Sequence, residues 1–325
     1  MKIAIVGAGA IGGYLGARLA LAGEEVTCIA RGPNLAAIQA NGLKLIEEDG
    51  TERHAANVKG AQKMADVGAQ DVVLLTLKAH QVKDVLPDMR GLFGPDTVVV
   101  TMQNGIPWWY FRIGAGEFSH VTLNRVDPGG AIDEAIPAGQ VIGSLVYLGT
   151  EVVEPGVIRH TEGNRISLGE PDGSRSVRVK AVAGAFIKSG LRAPVTARLR
   201  HEIWVKLLGN IAFNPLSALT RATLAGMARD SDVRGIAAEI MREVEAVASK
   251  LGLELPITIE QRIAGAEKVG EHKTSMLQDL EAGRPLELEA VVGAAVELGE
   301  RLGIPMPHTR TVYACTKCLD STVRR

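Results

Sequence analysis

The segment Ile203-Trp204-Val205-Lys206-Leu207-Leu208-Gly209-Asn210-Ile211-Ala212-Phe213-Asn214-Pro215 carries the densest chemical signal in this chain. It is apolar nearly all round a helix, the pattern of a buried helix. Lys206, Asn210 and Asn214 interrupt it at intervals of four. At about 3.6 residues per turn they fall on one narrow stripe. Burying a lysine and two amides costs several kcal/mol unless partners compensate, so the stripe predicts a polar cleft. The plainer alternative is a polar fringe, with Asn214 as the helix end. An ammonium in such a cleft can offset negative charge forming on an oxygen, and a buried lysine can act as a general acid near neutrality. Farther on, His272-Lys273-Thr274-Ser275 precedes Gly283-Arg284-Pro285-Leu286-Glu287. Glu287 opens a helix, where the dipole favours a carboxylate, as a cap or as a member of a site.

A second constellation stands at the start. Ile3 to Val6 reads as a strand buried on both faces, and Gly7-Ala8-Gly9-Ala10-Ile11-Gly12-Gly13 follows at once. A helix and a second strand, Val26 to Ala30, complete the order that a dinucleotide fingerprint requires. Gly7 permits the tight turn, Gly9 lets the backbone approach a pyrophosphate, and Gly12 lets the helix pack close to the sheet. Tyr14 to Ala22 reads as the helix, whose N-terminal N–H groups and positive dipole end suit phosphates, and Ala10 and Ile11 of the preceding loop are counted with the cofactor-binding residues. The second strand ends in Ala30-Arg31-Gly32-Pro33, with no carboxylate to accept from a ribose 2′-OH. A guanidinium binds a 2′-phosphate, so Arg31 points to NADP(H) rather than NAD.

The elements that must position these residues follow from the same patterns. Asp71 to Leu77 and Thr97 to Met102 read as further buried strands, ending in Lys78 and in Gln103-Asn104-Gly105. Ligands of open parallel sheets sit beyond the carboxyl ends of strands, which puts Lys78 and Asn104 where cofactor and substrate meet. Gly42 to Val58 predicts a β-hairpin turning at Asp49-Gly50. Trp108-Trp109 is either a packing anchor or a pocket wall. From about 197 the pattern turns helical, over 198–214, 231–251, 257–269, 285–302 and 309–319. The predicted fold class is therefore an α/β Rossmann domain, residues 1–197, followed by an all-α domain, residues 198–325.

Composition narrows the function classes. Apolar residues make up 46% and charged residues 22%, as in ordinary globular proteins. The net charge of −1 and scattered basic residues give no field for nucleic acid, and aromatics at 4% give no stacking platform. No apolar stretch reaches a membrane-spanning length of about 20 residues, and no signal peptide is evident. Three cysteines suit a reducing compartment, so a cytoplasmic location is expected. Cys315 and Cys318 have CxxC spacing without a second pair, and no histidine spacing suggests a metal.

With these residues in hand, the chain resembles the ketopantoate reductase family (2-dehydropantoate 2-reductases) over nearly its whole length. The marks are GAGAIGG, Arg31, LTLKAHQ with Lys78, QNG with Asn104, WVKLLGNIAFNPLSALT, and SMLQDLEAG followed by LELEA. The resemblance implies a helical domain of the 6-phosphogluconate dehydrogenase C-terminal-like type and an active site between the two domains. It implies NADPH-dependent reduction of a 2-oxo acid, most directly ketopantoate to pantoate, in pantothenate biosynthesis. Lys206 matches the catalytic lysine and Glu287 the glutamate that contacts lysine and cofactor. Asn210 and Asn214 match substrate-holding amides, Ser275 a carboxylate-binding serine, and His272 a further substrate position. Two positions depart from the pattern: Leu224 and His272 stand where the family commonly has asparagine. A related 2-oxo or 3-hydroxy acid is thus the alternative substrate, and a non-catalytic NADP(H) sensor the alternative role. The expected partner is a small-molecule oxo acid, with a homodimer as a candidate assembly.

Overall fold

The computed structural model describes residues 1–323, so the last two residues of the predicted helical domain lie outside the described residues. The chain divides into two compact units. The first comprises Met1–Gln103, Trp109–Ser119 and Ala131–Leu199; the second comprises Asn104–Trp108, His120–Gly130 and everything from Arg200 onward. Two short loops, 104–108 and 120–130, therefore group with the helices.

The first unit is built on a nine-stranded sheet: β1 Lys2–Val6, β2 Glu25–Ile29, β3 Leu43–Ile46, β4 Glu52–Ala55, β5 Lys59–Ala61, β6 Val72–Leu75, β7 Val98–Thr101, β8 Val141–Glu154 and β9 Val157–Gly169. Their order is β4-β3-β9-β8-β7-β6-β1-β2-β5. From β5 to β8 every pairing is parallel. The runs VVLL and VVVT are buried throughout, which explains why they do not alternate apolar with polar. Helices α1 (Ala10–Leu21), α2 (Gly32–Asn41), α3 (Val82–Met89), α4 (Ala131–Ala135) and α5 (Val177–Lys188) complete the unit. Tyr14, Leu15 and Leu19 of α1 join Ile5, Cys28, Ile158 and Phe186 in one apolar core.

The predicted hairpin is present, with β3 and β4 antiparallel and Gly50 at φ +82° in its turn. It is also part of the main sheet, because β3 pairs in parallel with β9. Trp109 is a packing anchor. Its ring lies against Gly143, where an added Cβ would come within 2.6 Å, and its Nε1 donates to Thr101 Oγ1 at 3.0 Å.

The second unit is helical: α6 (Leu199–Thr220), α7 (Leu224–Arg229), α8 (Ser231–Lys250), α9 (Ile259–Val269), α10 (Ser275–Glu281), α11 (Ala294–Leu302, entered through a π-turn at Glu289–Gly293) and α12 (Pro307–Val323). Helix α6 does not stop at Asn214 but continues through Pro215. Leu216, Ser217 and Ala218 are buried, and that packing outweighs the penalty of an internal proline. The short helices α7 and α10 escape the periodicity reading. Their caps Thr223 and Thr274 accept from Gly226 N and Leu277 N at 3.1 and 3.2 Å. Trp204, Leu208, Ile211, Ile240, Val244, Val292 and Leu298 form buried apolar packing in this unit.

A buried carboxylate ties two of these helices. Glu243 of α8 accepts from His308 N and Thr309 N, both at 2.9 Å, and from Thr309 Oγ1 at 2.6 Å at the head of α12. Burial pushes its pKa up, but these hydrogen bonds together hold it below the ordinary glutamate value.

Candidate active site

In the first unit, the glycine loop lies at the carboxyl end of β1, between the β2 and β6 sides of the sheet. This is the switch point at which open sheets of this kind bind ligands. Gly7 takes φ +106°, a region that favours glycine. At Gly12 a Cβ would stand 2.1 Å from Gly7 O and 2.6 Å from Thr76 Oγ1, so helix and loop touch there without room for a side chain. At Gly9 a Cβ would meet nothing within 4 Å. Gly9 thus borders open space at the head of α1, and no side chain caps that helix. A bare helix N-terminus beside an uncluttered glycine is the cradle a pyrophosphate needs, and the residues present fit that group.

Two residues that sequence reasoning missed, Thr76 and Asn34, hold this loop, and a third, Gln103, braces the strand ends beside it. Thr76 donates to Gly7 O at 2.7 Å, and Asn34 donates to Ala8 O at 2.7 Å while accepting from Gly156 N at 2.9 Å. Gln103 donates to Leu75 O and Leu77 O, at 2.7 and 2.9 Å, joining the ends of β6 and β7. Thr76 was signalled only by its place at a strand end. Arg31 is exposed at the N-cap position of α2, and Lys78 follows β6.

In the second unit, Lys206 Nζ donates to Asn104 Oδ1 at 2.9 Å. Asn104 Nδ2 reaches Glu287 Oε2 over a long 3.5 Å. One amide thus bridges an ammonium and a carboxylate contributed by segments 102 and 183 residues away. Burial pushes the Lys206 pKa down and the Glu287 charge pushes it back up, leaving it lowered to about 8. A lysine so tuned exchanges a proton readily near neutrality.

Farther along α6, Asn210 is half-buried and Asn214 buried. The end of this stripe meets the head of α10. The hydroxyls of Ser217 and Thr274 form a short hydrogen bond, and Ser217 also donates to Asn214 O at 2.8 Å. Ser275 is the exposed first residue of α10. The positions of Leu224 and His272, the two departures from the family pattern, are neighbours: Leu224 N donates to His272 O at 2.9 Å. The structure therefore groups Asn104, Lys206 and Glu287 by direct contact, joins the segments bearing Asn214 and Ser275 through the Ser217–Thr274 hydrogen bond, and joins those bearing Leu224 and His272 through their backbones. Gly7, Gly9, Ala10, Ile11, Gly12, Arg31 and Lys78 belong to the other unit. Among the described residues no group of three or more His, Cys, Asp or Glu could hold a metal ion. Cys315 and Cys318 are exposed free thiols on α12.

A doubly wound sheet with a glycine loop at its switch point, joined to helices carrying a lysine–amide–carboxylate cluster, defines a Rossmann-type oxidoreductase with a helical second unit. The ketopantoate reductase PanE/ApbA profile matches residues 3–108, and the profile of that family's C-terminal domain matches residues 198–320. The chain belongs to the ketopantoate reductase family. It is 53% identical over 320 residues to the 2-dehydropantoate 2-reductase of Mesorhizobium japonicum, covering 98% of each chain. Its fold superposes with a TM-score of 0.94 on a structure described as a putative ketopantoate reductase from Ralstonia solanacearum, at 40% identity over 99% and 98% of the two chains. At 23% identity it shares the fold of D-mandelate dehydrogenase, solved with NADH and anilino(oxo)acetate, with a TM-score of 0.85 and full coverage of both chains.

Proposed function

We propose that this protein reduces a 2-oxo acid, ketopantoate first among them, to the 2-hydroxy acid with NADPH. The observation that carries the reading is the Lys206–Asn104 hydrogen bond beside Glu287, with the Lys206 pKa lowered to about 8. The glycine loop of Gly7, Gly9 and Gly12, with the Ala10–Ile11 helix start, would hold the pyrophosphate, and Arg31 the 2′-phosphate. Lys78 and Asn104 complete the dinucleotide-binding set. When bound, the reduced nicotinamide supplies a hydride to C2 of the oxo acid. Lys206 hydrogen-bonds the C2 carbonyl oxygen, and its ammonium offsets the negative charge that forms there. It then gives that oxygen a proton, leaving a neutral amine that regains a proton from solvent. Asn104 and Glu287 aim the ammonium, since the amide oxygen accepts from it and the carboxylate favours its charged form. Asn210, Asn214, His272 and Ser275 hold the acid, with Ser275 on its carboxylate.

The 53% identity to a relative named for ketopantoate reduction supports that substrate. A second reading, a related oxo acid, is favoured by one observation: the two departures, Leu224 and His272, lie on adjacent backbone, joined by the Leu224 N–His272 O hydrogen bond. A site built to hydrogen-bond a hydroxyl discriminates strongly, so an apolar residue there changes preference.

The test follows NADPH absorbance with a panel of 2-oxo acids headed by ketopantoate, alongside Lys206→Ala. Ketopantoate-dependent oxidation that collapses in the variant is the expected result. Turnover of another oxo acid alone would move the substrate assignment and keep the mechanism. Tight NADPH binding without any turnover would replace catalysis with a sensing role.

A further inference from the structure

The helix that follows Glu287 makes one α-type hydrogen bond, Val291 N to Glu287 O at 3.3 Å, and then widens. The N–H of Ala294 donates to Glu289 O, five residues back, across the π-turn Glu289–Gly293. That hydrogen bond takes away the donor which an α-helix would offer to Ala290 O, four residues before Ala294. Ala290 O is satisfied from outside the helix, by Ile106 N at 3.1 Å. Gly105, the residue before Ile106, takes φ +93°, and a Cβ on it would stand 2.1 Å from Ala290 O and 2.5 Å from Ala290 C. The loop thus lies directly on the helix backbone, and Asn104 sits next in the chain. Glycine is required twice over there, by conformation and by space.

A side-chain clamp sits on the same π-turn. The Glu289 carboxylate folds over Gly293, where a Cβ would come within 2.6 Å of its Oε2. Tyr313 OH donates to it at 2.8 and 3.0 Å, Arg125 at 3.1 Å, and Lys317 pairs with it at 3.2 Å. Arg125 also donates to Tyr313 OH at 2.7 Å, linking the 120–130 loop to α12.

We propose that this π-turn is the positioning device of the site: Gly105 and the Glu289–Tyr313 clamp are positioning residues that hold Asn104 against Lys206. The proposal rests on the role of Lys206 given above. Returning the turn to α-helical form would restore an internal donor to Ala290 O and leave Ile106 N without its acceptor. Asn104 would then withdraw, and Lys206 would lose a partner that favours its charged form.

The test reads Lys206 directly in the full-length protein, by NMR titration of 13Cε-labelled lysine, with the resonance assigned through its absence in Lys206→Met. Gly105→Ala should move the Lys206 titration to lower pH by about one unit, a tenfold drop in the charged-to-neutral ratio. Asn104→Ala should give the same shift, and the double variant no more than Asn104→Ala alone. Tyr313→Phe, a conservative change at the clamp, should shift it in the same direction by less, which keeps the test open if Gly105→Ala does not fold. An unmoved titration in Gly105→Ala and Tyr313→Phe, or shifts that add in the double variant, would overturn the proposal. If Lys206→Ala keeps full turnover while Gly105→Ala still shifts the titration, the catalytic role of Lys206 fails and the positioning device stands.

Discussion

Replacing Glu287 by glutamine removes a charge and leaves the shape of the cluster almost untouched. Glu287 is the influence that raises the Lys206 pKa against burial. The two charges are bridged by the Asn104 amide, which puts them roughly 6 Å apart and gives about 3 kcal/mol at an effective dielectric of 20, or about 0.7 kcal/mol in water. At 1.36 kcal/mol per pH unit these bound the change between about two units and half a unit. Both side chains are only partly buried, so a drop of about one unit is expected. The general acid must be protonated, so activity in the reducing direction is present below the Lys206 pKa and lost above it. Wild-type kcat should therefore fall through about pH 8, and the Glu287→Gln limb should lie about one unit lower. The assay is steady-state oxo-acid reduction across neutral and alkaline pH at saturating NADPH. An alkaline limb that stays put, or moves upward, would refute the reasoning that the carboxylate acts through the lysine.

Other consequences are as direct. Arg31→Glu should weaken NADPH binding by about 10- to 100-fold, the worth of charge-assisted hydrogen bonds at about 1.5–3 kcal/mol, while sparing NADH; titration calorimetry with both dinucleotides checks this. Gly12→Ala drives a methyl into Gly7 O at 2.1 Å, so dinucleotide binding should be lost and Tm should drop by several degrees. Glu243→Ala strands the N–H groups at the head of α12 and should cost about 2–3 kcal/mol in urea unfolding. The folded pKa of Glu243 is depressed, so its contribution is present above the unfolded value of about 4.3 and lost as pH falls through the folded one. The difference between wild type and variant should therefore shrink at acid pH.

Much of this architecture is written locally. The strand Ile3–Val6, the glycine loop and α1 are contiguous, and each residue type answers a requirement of its own neighbours. The Lys206–Asn210–Asn214 stripe was legible for the same reason, because helical periodicity alone aligns residues four apart. Boundaries were less legible. Helix α6 runs past Pro215 because Leu216 and Ala218 are buried, and burial depends on what packs against the helix. The short α7 and α10 offer too few turns for a period to show.

The sequence by itself determined which residue types could do the chemistry, and that Gly7, Gly9 and Gly12 shape a tight turn between β1 and α1, since these depend on spacing along one strand or helix. Only the tertiary structure decided that Asn104 is the partner of Lys206, and that Glu287 reaches it through that amide. It likewise brought Leu224 beside His272 and laid Gly105 on the π-turn at Ala290. Helical period and strand alternation describe neighbours within about a turn. Contacts across 102 or 183 residues are set by which buried faces pack together, and no local pattern records that choice.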